Sequence, residues 1–215
     1  ELMLMGGLGR TLVNELGAVL ATIDGELVLV LDNAGGLIDV AEAAGVMLRE
    51  RGPFTARVDG ECASACTLLL ATAGRIELYS DSRIGLHRPS SVLGGELGID
   101  AEATIAAFTA HLARAGFGPR ALAAVREVPA NAMLWLEPAG NVDALPPFHL
   151  LDDDGNEIEA SQRDVVLARH LLARKQPQLA RMLDLVHSAF PDHARRHSTS
   201  LLAAHASEQG FDDAL

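Results

Sequence analysis

The chain has 215 residues, of which 49% are apolar and 21% are charged, and its formal net charge is −12. A chain this apolar can bury a substantial core, which excludes global disorder, and it has no apolar run of roughly 18 residues to predict a membrane span. The acidic balance argues against nucleic acid or anionic lipid as the main partner, because both require a basic surface.

The first predicted elements alternate between strands and helices. Residues 25–32 read GELVLVLD, and their consecutive apolar positions predict a strand that is buried on both faces. Helical spacing follows from Leu37 and ends near the Arg-Gly-Pro sequence at residues 51–53. Residues 54–58 predict a second strand, and the apolar stretch over residues 64–73 predicts a second helix.

Further along the chain, short strands are predicted at residues 76–79 and 84–86. A helix is predicted near residues 101–115, with apolar residues on one face, and Pro119 suits the first turn of another helix. The alternation of strands and helices predicts an α/β fold with a largely parallel sheet.

A second region begins near Ser161, where the apolar spacing predicts amphipathic helices. We therefore expect an α/β domain over residues 1–150. A linker and a helical C-terminal extension are expected over residues 151–215.

Three short segments carry residues that could take part in catalysis. Ser64 lies between small residues at a predicted helix start, where an accessible hydroxyl and free N–H groups favour a developing oxyanion, although a serine there is more often a helix cap. His87 follows a short apolar strand and could take the serine proton, although an isolated histidine of this kind more often lies on a surface loop. Gly35-Gly36 follows the first predicted strand, which suits either an oxyanion hole or an ordinary turn.

The combination of these segments resembles the ClpP/crotonase-like superfamily, and most closely the ClpP-type serine peptidases. The Cys-Ala-Ser-Ala-Cys version of the serine motif is similar to a bacterial ClpP-like branch of predicted periplasmic proteins. The resemblance covers roughly residues 1–150. The matching stretches are Asn33-Ala34-Gly35-Gly36, Ala63-Ser64-Ala65, and SRIGLHRP at residues 82–89 with Gly94-Gly95.

The resemblance implies stacked ββα units, and it assigns roles to individual residues. Ser64 would be the nucleophile and His87 the general base. The backbone N–H groups of Gly36 and Ala65 would form the oxyanion hole.

The third member of the triad departs from the family pattern. The resemblance places Asn131 where the ClpP-type enzymes have an aspartate. An asparagine can orient the histidine by accepting its N–H, but it cannot stabilise the imidazolium by charge, which implies slow turnover. Glu127 and Glu137 are nearby alternatives.

Cys62 and Cys66 flank the serine and leave two interpretations open. If both lie on one helical turn they could form a disulfide, which would stiffen the turn in an oxidising compartment; otherwise they are two small buried residues. Zinc is not expected, because no Cys/His pair at ligand spacing lies nearby, and no other metal or cofactor is expected.

The resemblance therefore implies a serine hydrolase, specifically a peptidase that acts on peptide or protein substrates. A non-catalytic scaffold of the same fold and a crotonase-type enzyme that binds acyl-CoA remain alternatives. A Ser-Lys mechanism is disfavoured because the single lysine, Lys175, lies in the tail. The resemblance further implies a homo-oligomer and favours a periplasmic or membrane-associated location, with a cytoplasmic one still open; no docking surface for an unfoldase is recognisable.

Overall fold

A computed structural model describes residues 1–90 and 101–212, with side chains for residues 1–90 and 102–205. The strands are β1 (Leu2–Leu8), β2 (Val28–Gly36), β3 (Thr55–Ala63), β4 (Arg75–Tyr79), β5 (Arg83–Leu86), β6 (Leu134–Leu136) and β7 (His149–Leu151). The helices are α1 (Leu12–Leu20), α2 (Ile38–Arg51), α3 (Cys66–Leu70), α4 (Ala101–Ala115), α5 (Pro119–Glu127), α6 (Ala160–Lys175), α7 (Pro177–Ala189) and α8 (Pro191–Asp212). The prediction of an α/β fold with C-terminal helices is confirmed.

The sheet is largely parallel, as the alternating pattern predicted. Its main path runs β1-β2-β3-β4-β7, and every pair along this path is parallel. On the side away from β2, the long strand β3 has two partners, because its first half pairs with β4 while its last three residues pair with β5. Strand β6 adds to β5 in the antiparallel sense. We call this branching of the sheet at β3 the fork. It places the C-terminal end of β5 beside the C-terminal end of β3.

The apolar run at the start of β2 explains its central place in the sheet. Leu29, Val30 and Leu31 are all buried, as expected for a strand that is covered on both faces. Leu29 and Leu31 join the main core cluster together with residues of α2 such as Ala41 and Leu48. This cluster holds β2 against α2, which fixes the position of Gly35 and Gly36 at the end of β2.

Three predicted elements have different bounds in the structure. Strand β2 begins three residues later and ends four residues later than predicted, so Gly35 and Gly36 belong to it and Gly36 pairs with Leu8 of β1. Strand β3 runs five residues beyond the predicted end at Val58, because residues 61–63 find hydrogen-bonding partners on β5. Helix α3 is shorter than the predicted helix, since the chain after Leu70 continues as turns and the Thr72 hydroxyl donates to the carbonyl of Leu68. A helix of five residues adds little macrodipole at Ser64.

The C-terminal helices α6 to α8 pack on one another and on the end of the sheet. A second hydrophobic cluster joins Leu150 of β7 to Leu167 of α6 and Leu202 of α8. The predicted division at residue 150 thus falls within β7, which pairs with β4 and also supports the tail. No helix in the described part of the chain is long and apolar enough to cross a membrane.

Candidate active site

Ser64 occupies a strained turn between β3 and α3. Its φ of +53° lies in the left-handed region, which a residue with a side chain adopts at a cost of about 1 kcal/mol or more. Its N–H donates to the carbonyl of Gly85 at 2.8 Å, and its own carbonyl accepts from the Thr67 N–H at 3.0 Å and from the Thr67 hydroxyl at 2.7 Å. These hydrogen bonds hold the turn, and with it the direction of the serine side chain.

His87 lies one residue beyond the end of β5 and contacts the serine directly. Its Nε2 is 2.8 Å from the Ser64 Oγ, and its Nδ1 is 2.8 Å from the carbonyl oxygen of Arg88. A carbonyl oxygen can only accept, so Nδ1 carries a proton, and in the neutral ring Nε2 then accepts from the serine hydroxyl. This is the tautomer that a general base requires.

The pairing of β3 with β5 brings these two residues together. Ala63 pairs with Gly85, so Ser64, which follows Ala63, and His87, two residues after Gly85, lie close together. Gly85 also leaves the room that this pairing needs: a Cβ on it would lie 2.8 Å from the Trp135 ring and 2.9 Å from the Cβ of Ala63. Gly85 was not among the predicted site residues, and the signal that pointed to it was a glycine inside the predicted apolar strand at residues 84–86.

The diglycine at the end of β2, which we call the diglycine loop, packs against the serine turn. Gly35 has a φ of +90°, and a Cβ on it would lie 2.5 Å from the carbonyl oxygen of Ala63 and 2.8 Å from the Ser64 Cβ. The N–H of Gly35 donates to the buried Asn33 Oδ1 at 2.9 Å, which fixes the loop from within the core. Gly36, the next residue, lines the same cavity as Ser64. Asn33 was quoted in the sequence motif, but its positioning contact was not predicted.

Cys62 and Cys66 form a disulfide that spans the serine turn. Cys62 belongs to β3, where it pairs with both Asn33 of β2 and Ile84 of β5, and Cys66 is the first residue of α3. Both side chains are fully buried. The bond therefore joins the centre of the sheet to the helix across Ser64. Ala65, which was assigned to the oxyanion hole, lies inside this loop and is also fully buried.

The structure does not bring Asn131 to the histidine. Asn131 is exposed, in the turn that follows α5, and no hydrogen bond joins its side chain to His87 among the described residues. This part of the chain approaches the site through its backbone instead, because the Arg88 N–H donates to the carbonyl of Val128 at 2.8 Å. The Arg88 carbonyl, rather than the asparagine assigned from the resemblance, therefore orients the imidazole.

The two alternative carboxylates are also placed away from the histidine. Glu127 is exposed at the end of α5, and Glu137 forms an ion pair with Arg174 of the C-terminal region. Gly94-Gly95, the last part of the resemblance, lies outside the described residues.

Ser64 and His87 lie in the wall of a cavity of about 840 Å³. Gly36 and the start of α2 form one side of this cavity, and residues of α4 form another. No group of three or more His, Cys, Asp or Glu residues within the described segments could hold a metal ion. The arrangement at this cavity is a hydroxyl and an imidazole in contact, with the glycine pair beside them. Such an arrangement can support nucleophilic attack on a carbonyl.

Similarity to known proteins is found in the structure and not in the sequence. No protein-family model and no curated protein matches the sequence. ClpP1 from Listeria monocytogenes is 14% identical with a TM-score of 0.56, over 72% of this chain and 92% of that one. A point mutant of the same protein is 15% identical with a TM-score of 0.55, over the same shares of the two chains.

A third similar structure is the 1510-N membrane-bound stomatin-specific protease, a mutant in complex with a substrate peptide. It is 17% identical with a TM-score of 0.54, over 71% of this chain and 75% of that one. The chain has the ClpP-like fold. The ClpP-like sheet places Ser64, His87 and the diglycine loop together, although they lie far apart in the sequence.

Proposed function

We propose that this protein is a serine hydrolase that cleaves peptide bonds. The observation that carries the proposal is the 2.8 Å contact between the Ser64 Oγ and the His87 Nε2 in the wall of a substrate-sized cavity. A contact of this length lets the imidazole take the hydroxyl proton while the oxygen attacks a carbonyl carbon.

The reaction proceeds in two halves. The Ser64 Oγ attacks the peptide carbonyl and His87 takes the serine proton, while the N–H groups of Gly36 and Ala65 stabilise the negative oxygen that forms. His87 then gives this proton to the leaving amine as the C–N bond breaks. Water attacks the resulting ester with His87 again as the base, which releases the acid and restores the serine.

The orienting group at Nδ1 sets the expected speed of this reaction. The Arg88 carbonyl holds the imidazole in the productive tautomer. It is neutral, so it stabilises the imidazolium less than a carboxylate would, because only a dipole faces the new charge. We expect turnover below that of a triad that contains an aspartate.

Two observations favour a peptide as the substrate. The ClpP-like neighbours include a protease that was solved with a substrate peptide. The described residues of the cavity wall include no lysine or arginine, whereas the phosphate groups of acyl-CoA call for cationic partners. A thermal-shift measurement separates the two classes, because only a crotonase-type enzyme would be stabilised by acyl-CoA.

Active-site labelling tests the proposal directly. A fluorophosphonate probe should label the wild-type protein, while Ser64→Ala should abolish the labelling and His87→Ala should slow it strongly. Ser161→Ala, which removes an exposed serine on α6, is the matched control and should label like the wild type. Labelling that persists in Ser64→Ala would remove the proposal.

We also propose that the protein forms a homo-oligomer in an oxidising compartment. Strand β1 ends the main path of the sheet, and its Met3 and Met5 are 55% and 63% exposed, which leaves an apolar edge that a further copy could cover. The Cys62–Cys66 disulfide supports the periplasm that the resemblance favours. Light scattering tests the first point, and a monomer at micromolar concentration would count against it.

A further inference from the structure

The cavity beside Ser64 and His87 is lined by two different kinds of side chain. One part is apolar and consists of Leu8, Leu37, Ile38, Pro89, Ala103 and Ala107. The other part contains two exposed carboxylates, Asp39 and Glu42. Because the described lining residues include no lysine or arginine, the wall beside the nucleophile combines an apolar surface with negative charge.

Helix α2 carries both carboxylates of the cavity wall. Gly36 lies beside the serine turn, and α2 begins two residues later, so Asp39 stands in its first turn. Glu42 follows three residues further on, which puts it on the same face of the helix. Neither carboxylate forms an ion pair with a described residue.

The charge of Asp39 is expected to matter more than that of Glu42. Glu42 also borders a neighbouring cavity whose lining includes Arg49 and Arg114, and these cations offset part of its charge. Asp39 is not among the residues that line that second cavity.

We infer that this cavity selects peptides that present a lysine or arginine side chain beside the scissile bond. The aliphatic stem of such a side chain packs on the apolar wall, while its cationic head reaches the carboxylates of Asp39 and Glu42. A glutamate or aspartate at the same position meets like charge and is excluded. The inference rests on the proposed peptidase function and names its substrate class.

The test uses three peptides that differ in one residue, placed in turn on either side of the scissile bond. Lysine supplies the stem and the charge, norleucine supplies a comparable stem without the charge, and glutamate reverses the charge. We expect kcat/KM for the lysine peptide to exceed that for norleucine about tenfold at low salt, with glutamate lower again. The lysine preference should shrink at high salt, because exposed charges are screened.

Variants of α2 assign this preference to its residues. Asp39→Asn should reduce the ratio of lysine to norleucine cleavage more than Glu42→Gln does, and the double variant should bring the ratio close to one. Glu50→Gln is the matched control, because Glu50 is an exposed carboxylate of the same helix that is not among the residues lining the cavity. It should leave the ratio unchanged.

Binding to Ser64→Ala separates the failure of this inference from the failure of the proposed function. Calorimetry on that variant measures the affinity of the same peptides without any chemistry. Equal cleavage and equal binding of the lysine and norleucine peptides would overturn the charge selection while leaving a peptidase intact. Tighter binding of the lysine peptide, with no cleavage by the wild type, would uphold the selection and overturn the peptidase.

Discussion

Removal of the Cys62–Cys66 disulfide should affect both the stability of the fold and the reactivity of Ser64. The bond closes a loop of five residues, since the two cysteines are separated by four positions. In the chain-entropy model, a loop of this size lowers the entropy of the unfolded chain by about 7 cal/mol/K, or about 2 kcal/mol at 25 °C. For a chain of this length we expect the Cys62→Ala/Cys66→Ala variant to melt roughly 4–8 °C below the wild type.

The effect on reactivity has a separate cause. Ser64 is held in a left-handed conformation between the two bonded cysteines, so loss of the bond lets this turn relax toward an unstrained one. A relaxation worth about 1.4 kcal/mol would slow fluorophosphonate labelling about tenfold. Labelling rates and circular dichroism melts of the same samples measure the two effects.

Wild-type protein that is unfolded and refolded in reductant is the matched control, because it keeps both sulfur atoms but lacks the bond. It should label as slowly as the double variant. If both samples melt earlier and yet label at the wild-type rate, the disulfide stabilises the fold without positioning the nucleophile, and the reasoning about the strained turn is refuted.

Three further predictions concern single residues. Gly85→Ala should destabilise the fold by about 1–3 kcal/mol in a denaturant melt, because its Cβ would overlap the Trp135 ring, whereas Gly9→Ala, with no atom within 4 Å of its Cβ, should change little. Burial, followed by the charge of Arg114, lowers the pKa of His111, so the imidazole of the unfolded chain is protonated at a higher pH than that of the folded protein. The free energy of unfolding should therefore fall as the pH drops below about 6.5. If His111→Gln kept the wild-type dependence of stability on pH, this account would be contradicted. Asn131→Ala should keep the wild-type labelling rate, and a large loss would show that the asparagine supports the histidine after all.

The sequence predicted the fold best at β2, where a buried apolar run is followed by the Asn-Ala-Gly-Gly stretch. The apolar run of β2 could be recognised because both of its faces are covered, and parallel strands leave the residues after them at one edge of the sheet. Ser64 and His87 each come after a predicted strand, but it was the resemblance to the ClpP-type peptidases that paired them as nucleophile and base. Strand β1 was missed, because Leu2–Leu8 contains two adjacent glycines and depends for its order on pairing with β2.

The orienting partner of His87 could not be predicted from residue types. Its Nδ1 bonds to the backbone carbonyl of Arg88, and every residue carries such a carbonyl. Which carbonyl points at the ring depends on the local backbone angles after β5, and these follow from the hydrogen bond between Arg88 and Val128. The resemblance therefore pointed to a polar side chain, Asn131, which lies in an exposed turn.

The fork of the sheet at β3 has a consequence for the folding of a newly synthesised chain. The first residues of β3 can pair with β4 before β5 is in place. His87 reaches Ser64 only after β5 has paired with the last residues of β3. Non-local parallel pairings of this kind form slowly. Until β5 has paired with β3, a newly made chain therefore lacks the contact between Ser64 and His87, which would keep the proposed peptidase from cleaving unfolded copies of itself during synthesis.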